Sequence, residues 1–153
     1  MTTMTATATQ VYQVFIKATP EEIWDAITKP EFTAKYFHGS VIYSSYEPGA
    51  PYQGFAADRS VQFVDGEVLE VSPPHRLVTT WKALWDPELA SEPAGRVTWE
   101  IEPQDGGISR LTVVHDELAE SPRTAAVVAA PMGWSIVLSG LKTLLETGQP
   151  LVG

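Results

Sequence analysis

The order of elements readable in this sequence predicts an α+β fold, one antiparallel sheet of seven strands with its helices gathered on one face. Three observations carry that prediction. An alternating, β-branched segment opens the readable chain; period-two segments separated by turn residues fill its middle with no helical pattern between them; and the most strongly helix-periodic segment comes last. Neither an internal repeat nor a linker divides the 153 residues. A single domain is therefore expected over residues 11–148, with a Thr-rich disordered tail over 1–10 and a short tail over 149–153.

The first strand is VYQVFIKA, residues 11–18, with Tyr12, Val14 and Ile16 sharing a face. TPEEIWDAIT follows. Thr19 is placed to cap, Pro20 suits the first helical position, and Glu22 stands three residues after Thr19, the spacing of a capping box. Glu21 and Glu22 thus read as first-turn charges favoured by the helix dipole, not as an acid/base pair. Pro30 ends this helix, and PEFTAKYF forms a second short one with Phe32 and Tyr36 on one face and Gly39 as its stop.

From Ser40 the period switches to two. SVIYSSY and PYQGFA form a hairpin around EPGA, and ADRS turns the chain again. In VQFVDGEVLEV, Asp65 and Gly66 are either a tight hairpin turn or a bulge within one long strand. The bulge is preferred, because splitting there leaves strands shorter than their neighbours. SPPH turns, since two prolines cannot donate to a ladder. RLVTTWKALW, the loop DPELASEPAG, RVTWEIE, the turn PQDGG and ISRLTVVHDEL complete the sheet. TAAVVAA reads as a turn or short helix, and the terminal helix as beginning near Pro131. Along it Trp134, Val137, Leu138, Leu141, Leu144 and Leu145 fall within one arc of about 120°, with Ser135, Lys142 and Glu146 opposite. Gly140, at the stripe's edge, suggests close approach of a strand or a ligand.

Composition narrows the function. Apolar residues are 44% and charged residues 19% of the chain, the balance of a globular protein. Ten basic against nineteen acidic residues give a charge of −9, which argues against nucleic acid and anionic lipid surfaces as partners. The chain has no cysteine, so disulfides and thiolate metal sites are excluded and a reducing compartment fits. Residues 1–10 lack the basic and apolar regions of a secretory signal, and the longest purely apolar run, residues 125–132, is too short to cross a bilayer; a cytoplasmic protein without membrane insertion is expected. The three histidines, His38, His75 and His115, lie on different elements with no His-x-His or His-x-x-x-His pair, so no metal site and no cofactor is expected. Gly-x-Ser-x-Gly, Gly-x-Gly-x-x-Gly and Walker patterns are absent.

Geometry then raises the question of an interior space. Seven strands spaced about 4.8 Å apart make a sheet roughly 30 Å across, whereas one helix with side chains is only about 10 to 12 Å wide. The space left over is either stuffed with large side chains or kept as a ligand cavity. Strand parity aims Leu77, Thr79 and Trp81, then Val97, Trp99 and Ile101, then Leu111, Val113 and His115 at the helix, joined by Phe63, with Thr98, Glu100, Thr112 and Val114 facing away. Thr79, His115 and Asp65 are the polar points on otherwise apolar walls. His115, inward beside Trp99, is the one candidate general acid/base, set against the plainer alternative that it hydrogen-bonds to a neighbouring element and closes one end. His38 and His75 read as surface residues, and the acidic loop 86–95 as a solvated loop or a flap.

Several stretches also resemble a known superfamily. VFIKATPEEIWDAIT, PGAPYQGF, DGEVLEVSPPHRLVTTW, VTWEIEPQDGGISRLTVVHDEL and GWSIVLSGLKTLLETG, in that order, are similar to the START-like helix-grip superfamily called SRPBCC, and most of all to its branch of activators of heat-shock-protein-90 ATPase homologues. The resemblance spans about residues 11–148. It implies a helix-grip fold, a curved seven-stranded antiparallel sheet wrapped around a long C-terminal helix with two short helices between strands 1 and 2, and a cavity under that last helix. Trp24, Gly66, Pro74, Leu77, Trp81, Gly133, Trp134 and Leu141 fall on recurring positions, read as architectural. Tyr36 and Phe37 stand where relatives often carry Trp and are expected to reshape one end of the pocket. The additional N-terminal domain of the eukaryotic co-chaperones is not seen, which sets co-chaperone activity apart from the family's name.

The expected function is binding of a small apolar, aromatic or lipid-like molecule between the C-terminal helix and the sheet. Tyr36, Phe37, Phe63, Thr79, Trp81, Trp99, His115, Trp134, Leu138 and Leu141 are the candidate lining residues. The alternatives are a cyclase or dehydratase in the same cavity with His115 as proton shuttle, and an interaction module with a protein partner or as a homodimer.

Overall fold

The structure, a computed structural model, describes residues 8–152; most of the expected N-terminal tail, residues 1–7, lies outside the described residues. Strand β1 (Gln10–Ile16) begins one residue earlier than periodicity suggests. Its first side chain is buried and ties the strand to the C-terminal region, Gln10 Nε2 donating to the Ala125 carbonyl at 2.9 Å. Helices α1 (Pro20–Thr28) and α2 (Pro30–Tyr36) follow. The capping box is formed as its spacing predicts: Glu22 N donates to Thr19 Oγ1 at 3.1 Å and Thr19 N donates to the Glu22 carboxylate at 2.8 Å. Ile23, Ala26 and Ile27 of α1 face the core.

The sheet continues through β2 (Val41–Tyr43), β3 (Pro51–Phe55), β4 (Gln62–Ser72), β5 (Arg76–Ala83), β6 (Gly95–Pro103) and β7 (Ser109–Asp116). All seven strands join one antiparallel sheet in the order β1-β7-β6-β5-β4-β3-β2. β4 is one long strand, as preferred, but its register against β5 shifts between Val68 and Glu70, not at Asp65 and Gly66. Gly66 answers a different need: a Cβ there would lie 2.1 Å from the Thr80 carbonyl oxygen. Asp65 points outward and is exposed, which removes it from the expected polar points of the interior.

The parity of β5, β6 and β7 is as expected. Leu77, Thr79, Trp81, Val97, Trp99, Ile101, Leu111, Val113 and His115 are all buried on the helix side. On the other face, charges pair across strands, Arg96 with Asp116 at 2.7 Å, and Arg76 with Glu100 and Arg110 with Glu102. Such exposed pairs contribute little to stability.

The loop after β5 carries a single helical turn, α3 (Pro87–Ala90), capped by Asp86. It is pinned: Lys82 Nζ donates to the carbonyls of Ala90 at 3.0 Å and Glu92 at 2.6 Å. The Glu92 carboxylate in turn accepts from the backbone N–H groups of Arg123 at 3.0 Å and Thr124 at 2.8 Å, in the first turn of α4 (Pro122–Ala129). Burial alone would push the Glu92 pKa up. The hydrogen bonds from Thr124 and Arg123 outweigh it and hold the carboxyl below its ordinary value.

TAAVVAA is thus part of a separate helix. Helix α5 (Trp134–Thr147) starts after a turn at residues 130–133, where Gly133 N donates to the Ala130 carbonyl at 2.8 Å, and it stops at Gly148 in the left-handed conformation. Its stripe is as predicted, with Trp134, Val137, Leu138, Leu141 and Leu144 buried. At Gly140 it is helix α2 that approaches, for a Cβ there would lie 3.2 Å from Tyr36 Cβ, and the residue also borders the outer hollow described below. Taken end to end, Pro122–Thr147 is long and apolar enough to cross a membrane, but it is broken in two and its apolar stripe lies in the core.

Candidate functional site

The interior beneath α5 is filled along most of its length, and an aromatic cluster fills it. Trp134, the first residue of α5, has its ring centroid 5.5 Å from Trp99, 5.8 Å from Phe37 and 6.0 Å from His115. Its Nε1–H donates to His115 Nδ1 at 3.0 Å. Accepting at Nδ1 requires the neutral ring with its proton on Nε2. Burial pushes the His115 pKa down to about 4, the nearby Asp116 charge offsetting only part of that. Trp81 packs edge-on against His115 at 5.2 Å.

His115 is therefore inward and beside Trp99, as parity requires, but it reaches no open space. It is fully buried. Its Nε2 has no partner among the described residues and lies against Gly95, where a Cβ would be 3.1 Å away. The expected proton shuttle is corrected on this geometry: a ring walled in by Trp81, Trp134 and Gly95 touches neither of the two hollows described below. Trp99, Leu138 and Leu141 are likewise packed core and line neither hollow. Thr79 is buried, its hydroxyl has no partner among the described residues, and it lines neither hollow. Tyr36 donates its hydroxyl to the Ala26 carbonyl at 2.8 Å and borders a hollow of about 440 Å³ on the outer side of α2 and α5, beside Leu151 and Val152.

The open space under the helix lies at its N-terminal end. A cavity of about 350 Å³ is bounded by Phe37, His38 and Ser40 after α2, Phe63 and Val64 of β4, Trp81 and Trp85 at the end of β5, Val127 and Val128 of α4, Met132 and Gly133 of the turn, and Trp134 and Val137 of α5. Phe37, Phe63, Trp81 and Trp134 are the sequence-predicted residues that it brings together. Phe63 reaches it because the β3–β4 register shifts there, Gly54 pairing with Val64 but Phe55 with Gln62.

The lining residues not foreseen sit mostly outside regular strands. Trp85 follows β5, is 45% exposed and meets Trp81 edge-on at 6.1 Å. Met132, 62% exposed, and Gly133 belong to the turn between α4 and α5. Gly133 is required there, since a Cβ would lie 2.1 Å from the Val128 carbonyl oxygen. In the sequence, the helical break read at Pro131 and Gly133 and the aromatic Phe37 after the second helix both fall at this wall.

A curved seven-stranded antiparallel sheet closed by a C-terminal helix, with two short helices after the first strand and a hollow at one end of the grip, defines a START-like helix-grip protein. The chain belongs to the family described as "Activator of Hsp90 ATPase homolog 1-like protein", whose sequence profile matches residues 17–146. Similar solved structures include the protein MLL2253 from Mesorhizobium loti, 27% identical with a TM-score of 0.71, covering 90% of this chain and 96% of that one. The Aha1 dimer from Colwellia psychrerythraea is 18% identical with a TM-score of 0.71, over 92% of this chain and 97% of that one. CalU16 from Micromonospora echinospora is 20% identical with a TM-score of 0.69, over 94% of this chain and 77% of that one. At such identities these last two show the fold alone. No curated protein matches the sequence.

Proposed function

We propose that this protein binds a small apolar or aromatic molecule in the cavity at the N-terminal end of α5. The observation that carries the reading is the wall itself: Phe37, Phe63, Trp81, Trp85, Val128, Trp134 and Val137 converge on a hollow of about 350 Å³. A concave, largely aromatic site of this size suits a ligand of one or two fused rings. Titration with the fluorescent hydrocarbon amine N-phenyl-1-naphthylamine tests it. Saturable one-site binding to the wild-type chain, lost in Val137→Trp, supports the reading; equal binding by both, or by neither, removes it. The core location of the apolar C-terminal stretch and the absence of cysteine support a cytoplasmic setting.

A second reading, self-association, rests on one observation. β1 is an edge strand and carries exposed Val11 and Phe15. Sedimentation of the wild type and of Phe15→Lys checks it: a dimer that the substitution dissolves supports it, and a monomer at all concentrations rules it out.

A further inference from the structure

The cavity's polar inventory says what kind of molecule it suits, given that the cavity is a binding site at all. Among the described residues no Lys, Arg, Asp or Glu lines it, and its one ionisable side chain is the exposed His38. A ligand charge brought inside would lose its hydration with no buried counter-charge to replace it, a cost of several kcal/mol. An anion would also meet the chain's net charge of −9 on approach.

The walls do hold hydrogen-bonding groups, and most of those nearby are already committed. The Trp134 indole N–H is given to His115, and the Tyr36 hydroxyl to Ala26. Two are not. The Ser40 hydroxyl and the Trp81 indole N–H donate to no group among the described residues, although each residue is only 4% exposed. Neither atom is among those sealed from solvent without a partner, which are Tyr46 Oη, Thr79 Oγ1, Arg110 Nε and His115 Nε2. Both residues line the cavity. An indole N–H can only donate, and a serine hydroxyl can turn to donate.

We infer that the ligand is uncharged and carries an oxygen acceptor, as a ketone or ester does, on its apolar body. An apolar ligand without an acceptor would strip water from Ser40 and Trp81 and return nothing. One with an acceptor replaces that water, a difference of about 2- to 12-fold in affinity for one net hydrogen bond.

The test is displacement of N-phenyl-1-naphthylamine by four compounds of one shape: naphthalene, 2-acetonaphthone, 2-naphthoate and 2-(aminomethyl)naphthalene. On the wild type the ketone is expected to bind several-fold tighter than naphthalene, and both ions at least tenfold weaker than the ketone. Ser40→Ala or Trp81→Phe should bring the ketone-to-naphthalene ratio toward one while naphthalene itself still binds. An ion binding as tightly as the ketone overturns the inference, as does a ratio of one in the wild type or a ratio unmoved by both substitutions. Those results leave the cavity reading intact provided that naphthalene binds. If neither naphthalene nor the fluorophore binds, the cavity reading falls and this inference with it.

Discussion

The indole N–H of Trp134 donates to Nδ1 of His115 across 3.0 Å, tying the first turn of α5 to the end of β7. The bond aims the Trp134 ring at the sheet, where it meets Trp99 and completes the filled part of the interior. It also leaves Phe37, Trp81 and Val137 facing a hollow instead of one another.

Removing the donor tests the tie. Trp134→Phe leaves His115 Nδ1 buried and unpaired and opens space beside Trp99, so unfolding in urea should show a loss of about 2 to 4 kcal/mol. A loss below about 0.5 kcal/mol would mean that the bond and the ring hold nothing together.

The same histidine predicts a pH dependence. Its pKa falls from 6.5 in the open chain to about 4 in the fold, so the unfolded state binds a proton that the folded state refuses. The sign follows: the stabilisation is complete above pH 6.5 and is lost as pH falls toward 4, by up to about 3 kcal/mol. Carboxyls held low, such as Glu92, begin to weaken the fold only from about pH 4.5 downward. Between pH 6.5 and 4.5 the slope therefore reports His115. His115→Phe should lower stability overall yet flatten that slope, and a variant with the wild-type slope would assign it elsewhere.

Glu92 offers a prediction about the cavity's outer wall. Its carboxylate receives two backbone N–H groups and the hydroxyl of Thr124 at the start of α4. Glu92→Ala should cost about 1 to 2 kcal/mol, as loss of a helix cap does. Hydrogen exchange in Pro122–Ala129 should rise before exchange in the sheet; unchanged protection of that helix would contradict this.

Gly66→Ala should be among the most damaging single changes. The new methyl would lie 2.1 Å from the Thr80 carbonyl oxygen, backbone against backbone, where no side chain can move aside. A cost of about 3 kcal/mol or more is expected from thermal unfolding. A variant as stable as wild type would show that β4 and β5 do not approach so closely.

Much of the fold was legible because it rests on local rules. Thr19 and Glu22 announced a capping box by spacing alone, and the alternation through Leu77, Thr79 and Trp81 placed those side chains inward before any strand partner was known. The position of the open space was not legible in the same way. It depends on Trp134 reaching His115 and on Gly133 letting the chain turn against Val128, contacts between residues distant in sequence or set by backbone packing. Met132 was missed because it sits in a turn, where no periodicity assigns a face, whereas Trp85, read as the end of a strand, lies beyond β5, which stops at Ala83. The reading of His115 as inward was sound, but parity cannot say whether an inward residue meets a ligand or another ring.

The indole N–H resonances of the five tryptophans test the central claim most directly, in a nitrogen–proton correlation spectrum recorded during titration with 2-acetonaphthone. Trp81, Trp85 and Trp134 border the cavity, while Trp24 and Trp99 do not. The account predicts saturable shifts at the first three with the other two nearly still. Shifts at none of them, or at Trp24 and Trp99 alone, would contradict it.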